Sequence, residues 1–211
     1  DVLIDAGKIT TLELRQTLFM KLFRLRTATI TAAGYGREKG ARPVIVPGAR
    51  VKELCAARDT LLPDSPICSS CLRPTRRSLP VYILPPFLTI AAAALPLALG
   101  GLWNMAALLW GLFGLWWFAV RLIGYLRAGF GVSRDAVTIR YSRGLAFYEV
   151  HVPLEVADCA ILTRSPWQIR SGTCTVELRC FGEKRRRHRV RALPYDQALA
   201  LVGRLANRPA F

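Results

Sequence analysis

Polar and apolar positions separate into three blocks along the chain. Residues 78–120 contain no Asp, Glu, Lys or Arg, whereas residues 1–77 and 121–211 carry all of these side chains. As one helix, this 43-residue block would be roughly 65 Å long, about twice the hydrocarbon thickness of a bilayer. It therefore predicts two membrane-spanning helices at about residues 79–99 and 102–125. A buried helical hairpin of a soluble protein is the alternative.

The two predicted helices differ in their proline content. The second is free of proline, whereas the first contains Pro85 and Pro86, which remove backbone donors that hydrocarbon cannot replace. We therefore expect either a kink in the first helix or a helix that begins only near Pro86. The turn between the helices is expected at Gly100 and Gly101.

The charges beside the apolar block predict its orientation. Arg77 precedes the first helix, Arg121 lies near the end of the second, and the connecting turn is uncharged. The positive-inside rule then predicts a multi-pass protein of the cytoplasmic membrane with both flanking segments in the cytoplasm. Tyr82 and Tyr125 are expected at the inner interface and Trp103 at the outer one, as in an aromatic belt.

Both flanking segments show strand-like runs followed by an amphipathic helix. In the first flank the strands are expected at residues 8–15, 26–32 and 43–46 and the helix at 49–62. In the second they are expected at residues 136–141, 146–152, 156–163, 173–181 and 188–193, with the helix at 195–205. An offset of 148 residues aligns the flanks, with Leu14 on Leu162, Thr27 on Thr175, Ile30 on Leu178 and Gly34 on Gly182.

The first flank lacks the front strands of the second. We therefore divide the chain into residues 1–63, the back part of a domain, a linker at 64–78, the hairpin at 79–127, and a second domain at 128–211. The missing front strands either lie upstream or come from elsewhere. Without them, the first flank would expose an unpaired sheet edge.

Two runs carry a family resemblance. The sequence ITTLELRQTLFMKLFRLRTATITAAG, from Ile9 to Gly34, and the sequence CAILTRSPWQIRSGTCTVELRCFG, from Cys159 to Gly182, resemble the repeat of bacterial PH-like membrane proteins of the YdbS/YdbT type. The resemblance implies a membrane-anchored β-rich (α+β) fold. It consists of a PH-like bent antiparallel sheet closed by a C-terminal helix, in two copies, the first truncated, that flank a two-helix transmembrane hairpin.

The net charge of +16 is most concentrated in one turn and the strand after it. The basic residues there are Lys184, Arg185, Arg186, Arg187, Arg189 and Arg191. Strand alternation places the last three in one row, and each basic group near an anionic leaflet adds about 1 kcal/mol of attraction. Contact with anionic lipid or an acidic partner is the favoured interpretation, and a solvated turn is the alternative. Nucleic acid is not expected, because no aromatic stacking motif accompanies the arginines.

Candidate chemistry is sparse elsewhere. Cys68 and Cys71 form a weak metal or redox candidate, because Cys55 is the only nearby third thiol and the same flank has no histidine. His151 is expected on an outward strand position. We identify no catalytic residues, metal site or cofactor. We therefore expect a non-enzymatic membrane scaffold that binds a protein, peptide or anionic lipid, and the family resemblance suggests envelope stress or homeostasis. The alternatives are a membrane subunit of a transport or export complex and, less favoured, a nucleic-acid-binding protein.

Overall fold

The computed structural model describes residues 9–32, 44–50, 53–54, 71–99, 104–133, 136–180 and 187–206. The strands are β1 (Ile9–Thr17), β2 (Leu25–Ala32), β3 (Val44–Arg50), β4 (Gly129–Val132), β5 (Ala136–Arg143), β6 (Ala146–Pro153), β7 (Ala157–Thr163), β8 (Thr173–Cys180) and β9 (His188–Pro194). The helices are α1 (Leu18–Leu22), α2 (Leu79–Leu99), α3 (Asn104–Arg127), α4 (Pro166–Arg170) and α5 (Tyr195–Ala206). Short 3₁₀ turns at Arg76–Ser78 and Leu154–Val156 precede α2 and β7.

The strands form two antiparallel sheets. One has six strands in the order β3-β2-β1-β6-β5-β4, and the other has three in the order β7-β8-β9. The first flank joins the larger sheet through β1, which pairs with β6 from Leu12 opposite His151 to Thr17 opposite Ala146. Strand β6 therefore covers the edge that the first flank would expose alone.

The main core lies between the two sheets and beneath α5. Phe130, Ile139 and Val150 from the larger sheet are fully buried, and they belong to the same cluster as Leu178 and Leu193 from the smaller sheet. Full burial of such a side chain stabilises the fold by about 1.5–3 kcal/mol. A smaller cluster lies within the first flank and includes Leu12, Ala28 and Ile30. The antiparallel sheets and the closing helix agree with what the family resemblance implies.

Helix α2 begins at Leu79, so the expectation of a start near Pro86 is wrong. An α-helical N–H bonds to the carbonyl four residues earlier, so Pro85 and Pro86 leave the carbonyls of Val81 and Tyr82 without their usual donors. Arg121 of α3 supplies both: its Nε donates to the Tyr82 oxygen at 3.3 Å and its Nη2 to the Val81 oxygen at 3.4 Å. The guanidinium thus replaces the two donors that the prolines remove.

Small residues allow α2 and α3 to pack closely. A Cβ built on Gly114 would lie 2.8 Å from Cγ1 of Ile90 and 2.9 Å from Oγ1 of Thr89. One turn away, a Cβ on Gly111 would lie 3.6 Å from the Cβ of Ala93, an ordinary van der Waals contact. Such glycine contacts are typical of closely packed helices in membranes.

Most of the hairpin surface is apolar and exposed. Within the described residues, two stretches, Arg76–Ala94 and Met105–Arg127, are long and apolar enough to cross a membrane, and only 22% and 17% of their residues are buried. A core helix of a soluble protein would be mostly buried. The large exposed side chains include Leu84, Phe87, Leu88, Leu109, Trp110, Leu112, Phe113, Leu115 and Trp116.

Candidate functional site

Three arginines lie in a row at the start of β9, two on the strand and one just before it, as strand alternation predicts. Arg189 and Arg191 are exposed, the residues before them, His188 and Val190, are buried, and Arg187 immediately before the strand is also exposed. His188 faces inward, where its Nδ1 lies 3.1 Å from the Tyr141 hydroxyl. The row therefore presents guanidinium groups alone, while the histidine belongs to the interior.

The arginine row borders an open cleft of about 410 Å³, which we call the inner cleft. Its lining includes Tyr82, Arg121, Arg143, Glu177, Arg187, Arg189 and Arg191. Glu177 is the one carboxylate among the described lining residues. It lies 3.2 Å from Nε of Arg179 and 3.5 Å from Nε of Arg187. The inner cleft is therefore strongly positive and favours an acidic ligand.

A bulge in β9 frees a backbone carbonyl beside the inner cleft, and this carbonyl bonds to the hairpin. Arg191 and Ala192 both lie opposite Thr175, and Ala192 has a positive φ of 66°. Such a bulge removes a carbonyl from the regular ladder. The Arg191 carbonyl instead accepts a 3.0 Å hydrogen bond from the Tyr82 hydroxyl of α2.

Other contacts hold the same ends of α2 and α3. The rings of Tyr82 and Tyr125 meet edge to face at 5.4 Å, and the Arg121 guanidinium lies 5.4 Å from the Tyr82 ring centre. A Cβ on Gly124 would lie 2.5 Å from Oγ of Ser142, so α3 approaches β5 very closely. The predicted inner-interface residues Tyr82, Tyr125 and Arg121 thus lie together beside the inner cleft, and Arg77 lies in the 3₁₀ turn before α2.

Several predicted site residues lie outside the described residues. These are Lys184, Arg185, Arg186, Trp103 and Cys68. Cys71 is half-buried, and its Cβ lies 3.2 Å from the position of a Cβ built on Gly129. Among the described residues, no group of three potential metal ligands converges.

The outward position predicted for His151 is wrong. The residue is 5% exposed, with Nδ1 3.1 Å from the Thr138 hydroxyl and Nε2 3.6 Å from Glu149. It pairs with Leu12 of β1, and this neighbour from the first flank could not be read from the alternation of β6 alone. Sequence reasoning also missed that Arg143 and Arg121 reach the inner cleft, because only the fold brings them to the β9 row.

Comparison with known proteins supports one assignment. A family model described as Bacterial PH domain matches residues 81–209, more than half of the chain. The match begins in α2 and includes α3, the inner cleft and α5, while β1, β2 and β3 lie outside it. No curated protein and no solved structure matches the chain significantly.

Proposed function

The chain belongs to the bacterial PH domain family, and on that premise we propose that it is a non-enzymatic membrane scaffold whose PH-like sheets bind an acidic group at the inner leaflet. The ligand is an anionic lipid headgroup or an acidic segment of a protein or peptide. The observation that carries the proposal is the direct contact between an exposed apolar hairpin and an arginine-rich cleft, through Tyr82 and Arg191.

The sheet topology supports placing both flanks on one side of the membrane. Strands β1 and β6 come from opposite sides of the hairpin in sequence, yet they are hydrogen-bonded neighbours in one sheet. Hydrogen-bonded neighbours in an open sheet lie on the same side of a bilayer. If the hairpin spans the membrane, it must therefore cross twice and return the chain to the side from which it left. With Arg77 and Arg121 at this end, the positive-inside rule makes that side the cytoplasm.

Exposed apolar residues next to the hairpin also suit a membrane surface. Helix α1 is capped by Thr17, whose hydroxyl accepts from the Met20 amide, and Phe19, Leu22 and Phe23 around it are 77%, 78% and 68% exposed. Thr17 pairs with Ala146 in β6, just after the β5–β6 turn. Ser142, which α3 approaches closely at Gly124, lies just before the same turn.

The finer family type and the pathway also belong to this proposal. We assign the chain to the YdbS/YdbT type, with the first flank as the first of two PH-like copies and with a role in envelope stress or homeostasis. The 148-residue spacing of the capped helices α1 and α4 supports the repeat. The alternative, a transport subunit, would need polar side chains within the spans that can contact a substrate. Thr89 gives no support to it, because its hydroxyl donates to the Pro86 carbonyl within α2 at 2.7 Å.

Membrane fractionation tests the anchoring. The chain should stay in the membrane pellet after both alkaline carbonate and high-salt washes, because apolar spans survive both treatments. Release by salt alone would contradict the scaffold and would instead fit binding through phosphate contacts.

Lipid retention tests the inner cleft. We would count the anionic phospholipids that the detergent-solubilised chain retains in native mass spectrometry. The triple variant R187Q/R189Q/R191Q should weaken retention by roughly 100-fold if each arginine contributes about 1 kcal/mol. Arg204→Gln, which alters an exposed arginine on α5, is the matched control. Equal retention by all three proteins would exclude a lipid ligand and leave an acidic protein or peptide as the partner to test.

A further inference from the structure

A second basic cavity lies where the first flank meets the second domain. This cavity, which we call the junction pocket, has a volume of about 270 Å³. Its lining includes Gln16, Arg26, Arg73, Arg127, Arg140, Phe147, Tyr148 and Glu149. The residues come from β1, β2, the segment before α2, the last turn of α3, β5 and β6, so the pocket exists only because β1 pairs with β6.

One carboxylate faces four guanidinium groups in this pocket. Oε1 of Glu149 accepts from Nη2 and Nε of Arg140 at 2.6 and 2.9 Å, and its Oε2 accepts from Nη1 of Arg26 at 3.3 Å. Burial alone would raise the pKa of Glu149, but Arg140, His151 and Arg26 together hold it below its ordinary value. Glu149 is therefore ionised at neutral pH and already engaged by these two arginines.

The other two arginines, Arg127 and Arg73, form no hydrogen bond or close ion pair with a carboxylate among the described lining residues, and Glu149 acts on Arg127 only through space. Arg127 donates from Nη1 to the amide oxygen of Gln16 at 2.7 Å and stacks 5.0 Å from the Phe147 ring centre, and both partners are neutral. Arg73 is exposed at the rim. Nε of Arg26 is buried and makes no hydrogen bond.

The positive charges in the junction pocket outnumber the negative ones, which favours binding of an anion. Four arginines against one glutamate give an excess of three positive charges, and the C-terminal end of α3 offsets only about half a charge. Like charges held together in a partly buried site repel one another. An anion seated between Arg127 and Arg73 would offset much of this excess.

We propose that the junction pocket is a binding site for a phosphate group. Arginine donates in a planar fork that matches the oxygens of phosphate, and four arginines line this pocket. The volume admits a phosphate with a small substituent but not a large ligand. The last turn of α3 forms one wall, so a lipid headgroup at the inner leaflet is one source of the phosphate. A free phosphate ester is the other. The junction pocket adjoins the inner cleft and shares Ala128 and Tyr141 with it, but the two cavities have no arginine in common. The phosphate proposal therefore does not depend on the function proposed for the inner cleft.

The test uses the full chain in a phosphate-free sugar detergent. Inorganic phosphate is titrated in one arm and short-chain phosphatidylglycerol in mixed micelles in the other, against chloride at equal ionic strength. Thermal unfolding and calorimetry are the readouts. We expect saturable binding that Arg127→Gln and Arg73→Gln each weaken about tenfold or more. Arg204→Gln, an exposed position on α5 that lines neither cavity, should leave this binding unchanged.

Each outcome decides the proposal. Binding of inorganic phosphate that depends on Arg73 shows that a free phosphate group is sufficient. Binding of the lipid alone that depends on Arg73 identifies the headgroup as the source. Arg73 lies at the rim and lacks the internal contacts of Arg127, so its variant keeps the test valid if Arg127→Gln fails to fold. The absence of saturable binding in both arms, or equal losses in Arg73→Gln and Arg204→Gln, would overturn the phosphate site. Neither result would affect the carbonate and salt test of membrane anchoring.

Discussion

Replacement of Arg121 by Met tests how the hairpin accommodates two consecutive prolines. The variant keeps a long apolar side chain but removes the donors to the carbonyls of Val81 and Tyr82. A hydrogen bond to a charged group contributes about 1.5–3 kcal/mol, and these bonds are long, at 3.3 and 3.4 Å. We therefore expect Arg121→Met to lower the free energy of unfolding by about 2 kcal/mol.

A double-mutant cycle isolates this contribution. In the P85A/P86A background the new amides donate to the same two carbonyls, so the loss of Arg121 should cost only its contact with the Tyr82 ring, about 0.5–1 kcal/mol. The assay is reversible unfolding in mixed micelles with increasing sodium dodecyl sulfate, followed by circular dichroism. An equal cost of Arg121→Met with and without the prolines would refute the account, since it would show that the guanidinium does not substitute for the missing donors.

Three further predictions concern helix packing, stability at acid pH and thiol reactivity. Gly114→Ala should destabilise the hairpin by about 1–3 kcal/mol in the same micelle assay, whereas Gly111→Ala should be nearly neutral, because only the first brings a Cβ within 3 Å of α2; equal effects would contradict the helix packing. Because the pKa of Glu149 is lowered in the folded chain, stability should fall as the pH drops below about 4.3 and through the folded pKa. Glu149→Gln should reduce the loss of unfolding free energy at low pH. An equal loss in both proteins would contradict the lowered pKa of Glu149. Burial raises the pKa of Cys174 to about 11, so its thiol should resist iodoacetamide at pH 8 until the chain unfolds, as peptide mass mapping would show; rapid labelling of the folded chain would be inconsistent with this core.

Local patterns predicted the elements well, and the tertiary contacts poorly. The charge-free block indicated two long apolar helices because hydropathy is a property of consecutive residues, and the alternation in β9 placed Arg187, Arg189 and Arg191 in one row. Most of the strands of the second flank also lie close to their predicted positions. These signals are all contained within a single helix or strand.

The features that the sequence did not reveal depend on residues far apart in the chain. The pairing of β1 with β6 joins residues more than 100 positions apart, and no local pattern specifies which strand covers a free edge. The burial of His151 and the junction pocket both follow from that pairing. In the same way, Arg121 was expected to mark the membrane boundary, whereas its contacts with Val81 and Tyr82 appear only when α2 and α3 are packed together.

Photo-crosslinking in native membranes tests whether lipid surrounds the hairpin. The photoreactive residue p-benzoylphenylalanine would replace Phe113, which is 46% exposed on α3, and in a second protein Trp167, which is 75% exposed on α4. A hairpin embedded in lipid should give phospholipid adducts at Phe113 and none at Trp167, as read by mass spectrometry. Adducts with protein alone at Phe113 would contradict this expectation, because they would show that a polypeptide surface rather than lipid covers the hairpin.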